Sequence, residues 1–317
     1  MPIHVPDNFE AAWPWMRNFR RILKTVAEPR LCGCDLFIAS DFSGSHSESA
    51  YNVYSFVAID PQRSPEWPGR MQQVRRRFLG ERRMSFKALN DARRQQALGP
   101  FLEAAEFLNG VCCSVAVTKN FQRMASTSST LDLLSSGSIL SGKWKDKILE
   151  NALRVILMWS LVVSEVGDGQ QHVTWLVDED EIAANDLRHT DLLQLTGRIG
   201  QYFIKRPMGQ LCVCTTATEG QNILFEDFAA VADLAAGAYC EVANRWVRGE
   251  ETNGTDDGRF ELETQTRKCD LISDWFFFPS TGLRRVAILI DREPTGGRSI
   301  KRITHRPPGA AEYQLPI

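Results

Sequence analysis

"FIASDFSGSHSES", residues 37–49, is the stretch on which the fold turns. An apolar run, Leu36 to Ala39, ends in an aspartate, Asp41, and a Ser/Gly/His turn follows before a second apolar run, "YNVYSFVAID", at 51–60. The pattern predicts two strands, 34–40 and 51–59, joined by that turn. It also places a carboxylate where a core strand runs out toward solvent. In open sheets, functional sites gather at strand ends.

The rest of the chain extends this reading. Phe9, Trp13, Met16, Phe19 and Ile22 recur at helical spacing and predict a helix over 7–27. Helical patterns are also expected at 92–109, 143–165, 181–203 and 222–247, with strands at 110–119, 171–180 and 210–216. Residues 120–142, rich in Ser and Thr, read as a loop, and "GEETNGTDDGR" at 249–259 as a break. Strands are expected near 260–266, 271–278 and 285–291, followed by a polar, Pro-rich end. Three meandering strands followed by alternating helices and strands imply a mixed α/β sheet with helices on both faces. We divide the chain into an N-terminal helix (1–30), an α/β domain (31–249) and a C-terminal β extension (250–317).

The bulk composition excludes more than it identifies. With 317 residues, 43% hydrophobic, 24% charged and a net charge of −2, the chain reads as an ordinary globular protein. The longest apolar run, "VILMWSLVV" at 155–163, is too short to cross a bilayer, and "MPIHVPDNFEAAWPWMRNF" lacks the pattern of a signal peptide. A soluble, cytoplasmic protein without membrane contact is expected. The eight cysteines form no C-x-x-C pair and most sit in or beside apolar β-like runs, so buried free thiols are expected rather than a zinc site.

Three acids stand out by position. Asp41 ends the first strand, Asp178 ends the fourth, and Asp233 lies in the Ala-rich last helix, "FEDFAAVADLAAGAY". A carboxylate among Ala, Val and Leu on a packed helix is costly unless its charge is compensated. Glu226 lies two helical turns before Asp233 and shares its face, as do Ala230 and Gly237. Carboxylates converging from separate elements suit hard divalent ions such as Mg²⁺, which two-metal sites use to cleave phosphodiesters. Each acid also has a plain reading, as a turn former (Asp41), a helix N-terminal acid (Asp178) or an arginine partner (Asp233).

The order strand Asp, two strands, helix, strand Asp, helix, strand, helix Asp looks like the ribonuclease H-like fold. More narrowly, "SDFSG", "LVDED" and "VADLAAG" resemble the motifs of a ribonuclease H-like family called domain of unknown function 3800. The resemblance covers roughly residues 34–247. It implies a ribonuclease H-like mixed five-stranded sheet, and Mg²⁺- or Mn²⁺-dependent nuclease chemistry carried on Asp41, Asp178 and Asp233. Asp41 would bridge the ions and Lys87 would steady a phosphate. Phe42 stands where the family often has Glu. Ser85 stands where many members carry an acid two residues before the position of Lys87. Glu226, Glu179 and Glu150 are the acids that could replace it, with Glu226 first. An actin-like phosphate-binding hairpin is the rival for Asp41, but no further glycine-rich phosphate loop follows, and "EPTGGRS" at 293–299 lacks P-loop spacing.

A nucleic acid, DNA or RNA, is the partner this chemistry calls for. Between Arg70 and Arg94 nine basic residues face two acidic ones, and Arg75, Arg76, Arg77, Arg82 and Arg83 are the substrate-binding candidates. A second basic set, Arg284, Arg285, Arg292, Arg298, Lys301 and Arg302, lies near "WFFF" at 275–278, which reads as core or interface. Association with a protein or with a second copy is compatible with both surfaces. The alternative function is a catalytically inactive ribonuclease H-like scaffold that binds protein or nucleic acid.

Overall fold

The computed structural model describes residues 15–121, 140–178, 181–204, 207–215, 223–248, 259–260, 267–277, 282–292 and 298–305. These build a mixed sheet with helices packed on both faces. In chain order the helix α1 (Trp15–Ala27) leads into the hairpin β1 (Asp35–Ser43) and β2 (Tyr51–Ile59). Then come α2 (Trp67–Val74), extended by a π turn at Arg75–Leu79, a 3-10 turn at Phe86–Ala88, and α3 (Ala92–Ala105). β3 (Gly110–Thr118), α4 (Asp146–Val166), β4 (His172–Val177), α5 (Asp186–Phe203), β5 (Leu211–Thr215) and α6 (Ile223–Arg248) follow. The chain closes with β6 (Arg259–Phe260), α7 (Arg267–Phe277), β7 (Leu283–Arg292) and β8 (Arg298–His305).

The strands lie in the order β5-β4-β1-β2-β3-β7-β8-β6. β2 runs antiparallel to both β1 and β3, while β4 is parallel to β1 and β5 is parallel to β4. β7 then joins β3 in parallel and β8 returns antiparallel. The sheet therefore has eight strands where five were expected, because the C-terminal strands extend its β3 edge. β8 was not foreseen. The segment expected as a strand over 271–278 is instead the helix α7. Cys269, Ile272, Ser273 and Phe276, at helical spacing, are its buried residues, and that period overrides the β-propensity of Trp and Phe.

Two apolar layers cover the sheet. On one side α1, α4 and α5 pack against Leu36, Ile38, Tyr54, Phe56 and Trp175. On the other, α2, α3, α6 and α7 pack against Ala39, Val53, Val57, Cys112 and Leu176. β3 is covered on both faces and is buried at every position, so "GVCCSVAVT" reads as a continuous apolar run without alternation. α4 is buried along nearly its whole length for the same reason, since the sheet, α1 and α5 surround it. Each large apolar side chain removed from water here contributes roughly 1.5–3 kcal/mol, before the entropy of ordering is set against it. Among the described residues no helix is long and apolar enough to cross a membrane.

Candidate carboxylate site

Side-chain alternation on β1 sets the direction of Asp41. Ser40 points into the α4 layer, where its hydroxyl accepts a hydrogen bond from Trp175 Nε1 at 2.8 Å. Phe42 points the same way and packs on Tyr54 at 5.7 Å between ring centroids. Asp41, between them, faces the α6 layer with Ala39. The apolar residue at position 42 therefore lies on the opposite face of the sheet from the carboxylate.

The parallel register with β4 brings the second acid alongside. The last pair is Ser40 with Val177, so the next residue, the exposed Asp178, stands level with Asp41. β1 runs on to Ser43 with Asp41 paired to Ser55, so Asp41 lies within the strand and not at its end as expected. The hairpin partner of Asp41 is Ser55, and Ser55 in turn pairs with Ser114. Both serines are fully buried and their hydroxyls meet at 2.6 Å. A polar row thus crosses the sheet beneath α6 at the level of the acids. Each serine interrupts an apolar run, and that interruption was the sequence signal for the row.

α6 carries the third acid to the same level. Phe225, near its start, touches Phe37 of β1 at 5.9 Å between centroids. One strand length later Cys240 lies beside Gly44 and bonds the Ser49 hydroxyl at 3.6 Å. Helix and strand therefore run the same way. At ~1.5 Å per helical residue and ~3.3 Å per strand residue, Asp233 falls level with Asp41. The hairpin turn is tied to α6 as well, since Asn244 Oδ1 accepts from the Ala50 backbone N–H at 2.7 Å.

Asp233 is compensated by backbone rather than by an arginine. Its Oδ2 accepts from the Phe86 N–H at 2.7 Å, and the Ser85 hydroxyl donates to the same carboxylate. Burial nevertheless raises its pKa above the ordinary carboxylate range, the charge of Asp178 raises it further, and these two bonds and Lys87 pull it back. Asp178 is thus close enough for like-charge repulsion to register at Asp233. Gly237, one turn further on, makes room for the clamp, because a Cβ there would sit 2.2 Å from the Phe86 ring.

The donors are all carboxylate oxygens, the chemistry that Mg²⁺ and Mn²⁺ take. Among the described residues, however, no three His, Cys, Asp or Glu side chains close into a metal-holding group. One oxygen of Asp233 is committed to Phe86. The fourth-acid candidates are not drawn in either. Glu226 pairs with Arg83 at 2.5 Å, and Glu150 pairs with Arg154 at 2.7 Å in α4, on the other face of the sheet. Glu179 lies outside the described residues.

The basic segment divides into two kinds of residue. Arg76, Arg77, Arg82, Arg83 and Lys87 are exposed, with Arg83 on Glu226 and Arg82 3.9 Å from Asp91. Arg75 departs from the expectation of a surface contact. It is buried, it grips Asp227 through Nε at 2.6 Å and Nη2 at 2.7 Å, and it donates to the carbonyl of Gly80. Burial pushes the Asp227 carboxyl up to about 6 against the pull of Arg75. Arg75 instead pins the π turn to α6, because the turn carries it inward while Arg76 and Arg77 stay outside. In the tail, Arg285 pairs with Glu106 and lies 4.7 Å over the Trp275 ring, so it too is structural.

A cavity of about 640 Å³ opens at the N-terminus of α5, lined among others by Lys145, Glu181, Asn185, Arg188 and Thr215. None of the three aspartates lines it. Arg188 is already spent on the carbonyls of Lys143 and Glu181.

No family profile matches the chain, and no curated protein matches it. Among solved structures, the chain is similar to the crystal structure of the ribonuclease H2 from Pyrococcus horikoshii OT3. The likeness covers 68% of this chain and 78% of that one, at 9% identity and a TM-score of 0.35, which is too slight to carry an argument about fold or chemistry.

Proposed function

We propose that the chain is a ribonuclease H-like nuclease, hydrolysing nucleic-acid phosphodiester bonds with a divalent ion. The observation that carries this reading is the levelling of three carboxylates from separate elements: Asp41 on β1, Asp178 after β4 and Asp233 on α6. The element order from β1 through β2, β3, α4, β4, α5 and β5 to α6, with α2 and α3 inserted between β2 and β3, supports it. Ser85, standing where many members of domain of unknown function 3800 carry an acid, hydrogen-bonds Asp233 but supplies no fourth carboxylate, which counts against catalysis.

Asp41, Asp178 and Asp233 would hold Mg²⁺ or Mn²⁺. The ion, when bound, would activate a water and stabilise the leaving oxygen. The side chains do the rest. The buried Ser55–Ser114 pair keeps the floor beside Asp41 polar and fixed. Lys87, exposed next to the Phe86 clamp, would meet a phosphate. Arg76 and Arg77 offer further positive charge on the same segment.

One observation favours a second reading, a scaffold without catalysis. Asp233 already serves a structural purpose in holding Ser85 and Phe86. Incubating purified protein with Mn²⁺ and labelled single- and double-stranded DNA and RNA separates the two. The nuclease reading requires cleavage that Asp41→Asn abolishes while the melting temperature is kept. Absence of cleavage on every substrate leaves the scaffold.

A further inference from the structure

β5 is an edge strand, and Cys212 and Cys214 are two residues apart on it, so both side chains leave the same face. Their sulfurs lie 3.2 Å apart. Cys212 is exposed and Cys214 is buried against the α6 layer. We propose that Cys212 and Cys214 form a redox modification site, a dithiol that hydrogen peroxide converts into a reversible disulfide within the strand.

Of the other thiols, Cys32 and Cys34 are also two residues apart and exposed, but they precede β1 and Cys32 donates to the Arg30 carbonyl at 3.4 Å. Cys112 and Cys113 are consecutive on β3, so they face opposite layers, and both are buried. Burial raises the Cys112 thiol to about 12, far from the thiolate that reacts. Cys240 bonds the Ser49 hydroxyl, and Cys269 meets Glu241 at 2.5 Å. Zinc is a poor occupant for the pair. It takes four ligands, and no third His, Cys, Asp or Glu joins the two sulfurs among the described residues.

The chemistry balances with a peroxide as the only oxidant. The Cys212 sulfur attacks one peroxide oxygen, the O–O bond breaks and water leaves, which gives a sulfenic acid. The Cys214 sulfur attacks the Cys212 sulfur, the S–O bond breaks and a second water leaves. Two thiols are oxidised by two electrons, and one peroxide is reduced to two waters. The bridge is strained. A strand rise of ~3.3 Å per residue sets the two Cα atoms ~6.6 Å apart, near the ~6.8 Å upper end for disulfides. Strained, accessible disulfides are the readily reduced ones, so this bond opens again with thiol.

The test treats the full chain with hydrogen peroxide, then digests it without reductant for mass spectrometry. The peptide holding both cysteines should be lighter by two hydrogens, and dithiothreitol should restore it. In a second arm dimedone traps sulfenic acid at Cys212. Labelling should be weak in the wild type and about tenfold stronger in Cys214→Ser, which lacks the buried thiol that resolves the intermediate. Should Cys214→Ser fold poorly, Cys214→Ala serves in its place. Sulfinic acid at Cys212 beside an untouched Cys214, a disulfide between two chains, or equal dimedone labelling in wild type and variant would overturn the proposal.

Discussion

Asp233 shows how one side chain can carry a cost and a purpose together. A carboxyl whose pKa is raised in the folded state favours folding while it is protonated, below its unfolded value near 3.8. That contribution is lost as pH rises through the raised value, so at neutral pH the charged form weighs against the fold. Asp233→Asn keeps an oxygen to accept from Phe86 and removes the repulsion with Asp178. We predict a higher melting temperature than wild type at pH 7–8 without metal, the gain shrinking toward pH ~4. A scan across that range checks it. Arg75 makes the contrasting case. Arg75→Ala strands the buried Asp227 carboxylate and should destabilise by about 3–5 kcal/mol in urea unfolding. Arg76→Ala, on the exposed side of the same turn, should stay within about 0.5 kcal/mol.

At the scale of elements, the site depends on α6 lying along β1 with the Phe86 turn pressed against it. Gly237 permits that approach, since any Cβ would meet the Phe86 ring. Gly237→Ala should therefore cost about 1–3 kcal/mol through overpacking, and Phe86→Leu in the same chain should recover part of it. Thermal unfolding of the single and double variants tests this. Much of this layer was legible in the sequence. The 3.6-residue period of α4 and α6 and the apolar runs of β1 to β5 are local signals, and Asp41, Asp178 and Asp233 stood out by position. The clamp was not legible, because the Phe86 N–H of a short turn meets Asp233 across 147 residues. Nor was the inward turn of Arg75, because "RRR" at 75–77 gives no sign that a π turn buries its first member. α7 was misread because its aromatic residues favour strands, while its packing follows Cys269, Ile272 and Phe276.

For the whole molecule, the question is whether the carboxylate level and the exposed basic segment act on one ligand. If they do, nucleic-acid affinity should fall steeply with salt. Replacing Arg76, Arg77 and Lys87 by alanine should flatten the log–log slope on duplex DNA by ~0.9 for each phosphate that these side chains neutralise in the wild type. An unchanged slope in a fluorescence anisotropy titration would make these residues a solvated face only. The more direct question concerns the ion itself. Electron paramagnetic resonance of Mn²⁺ titrated into the full chain counts bound ions without needing turnover. The nuclease reading predicts saturable binding in the wild type, weakened by Asp178→Asn and by Asp41→Asn while both variants stay folded. Binding that is absent, or unchanged in both variants, would contradict it.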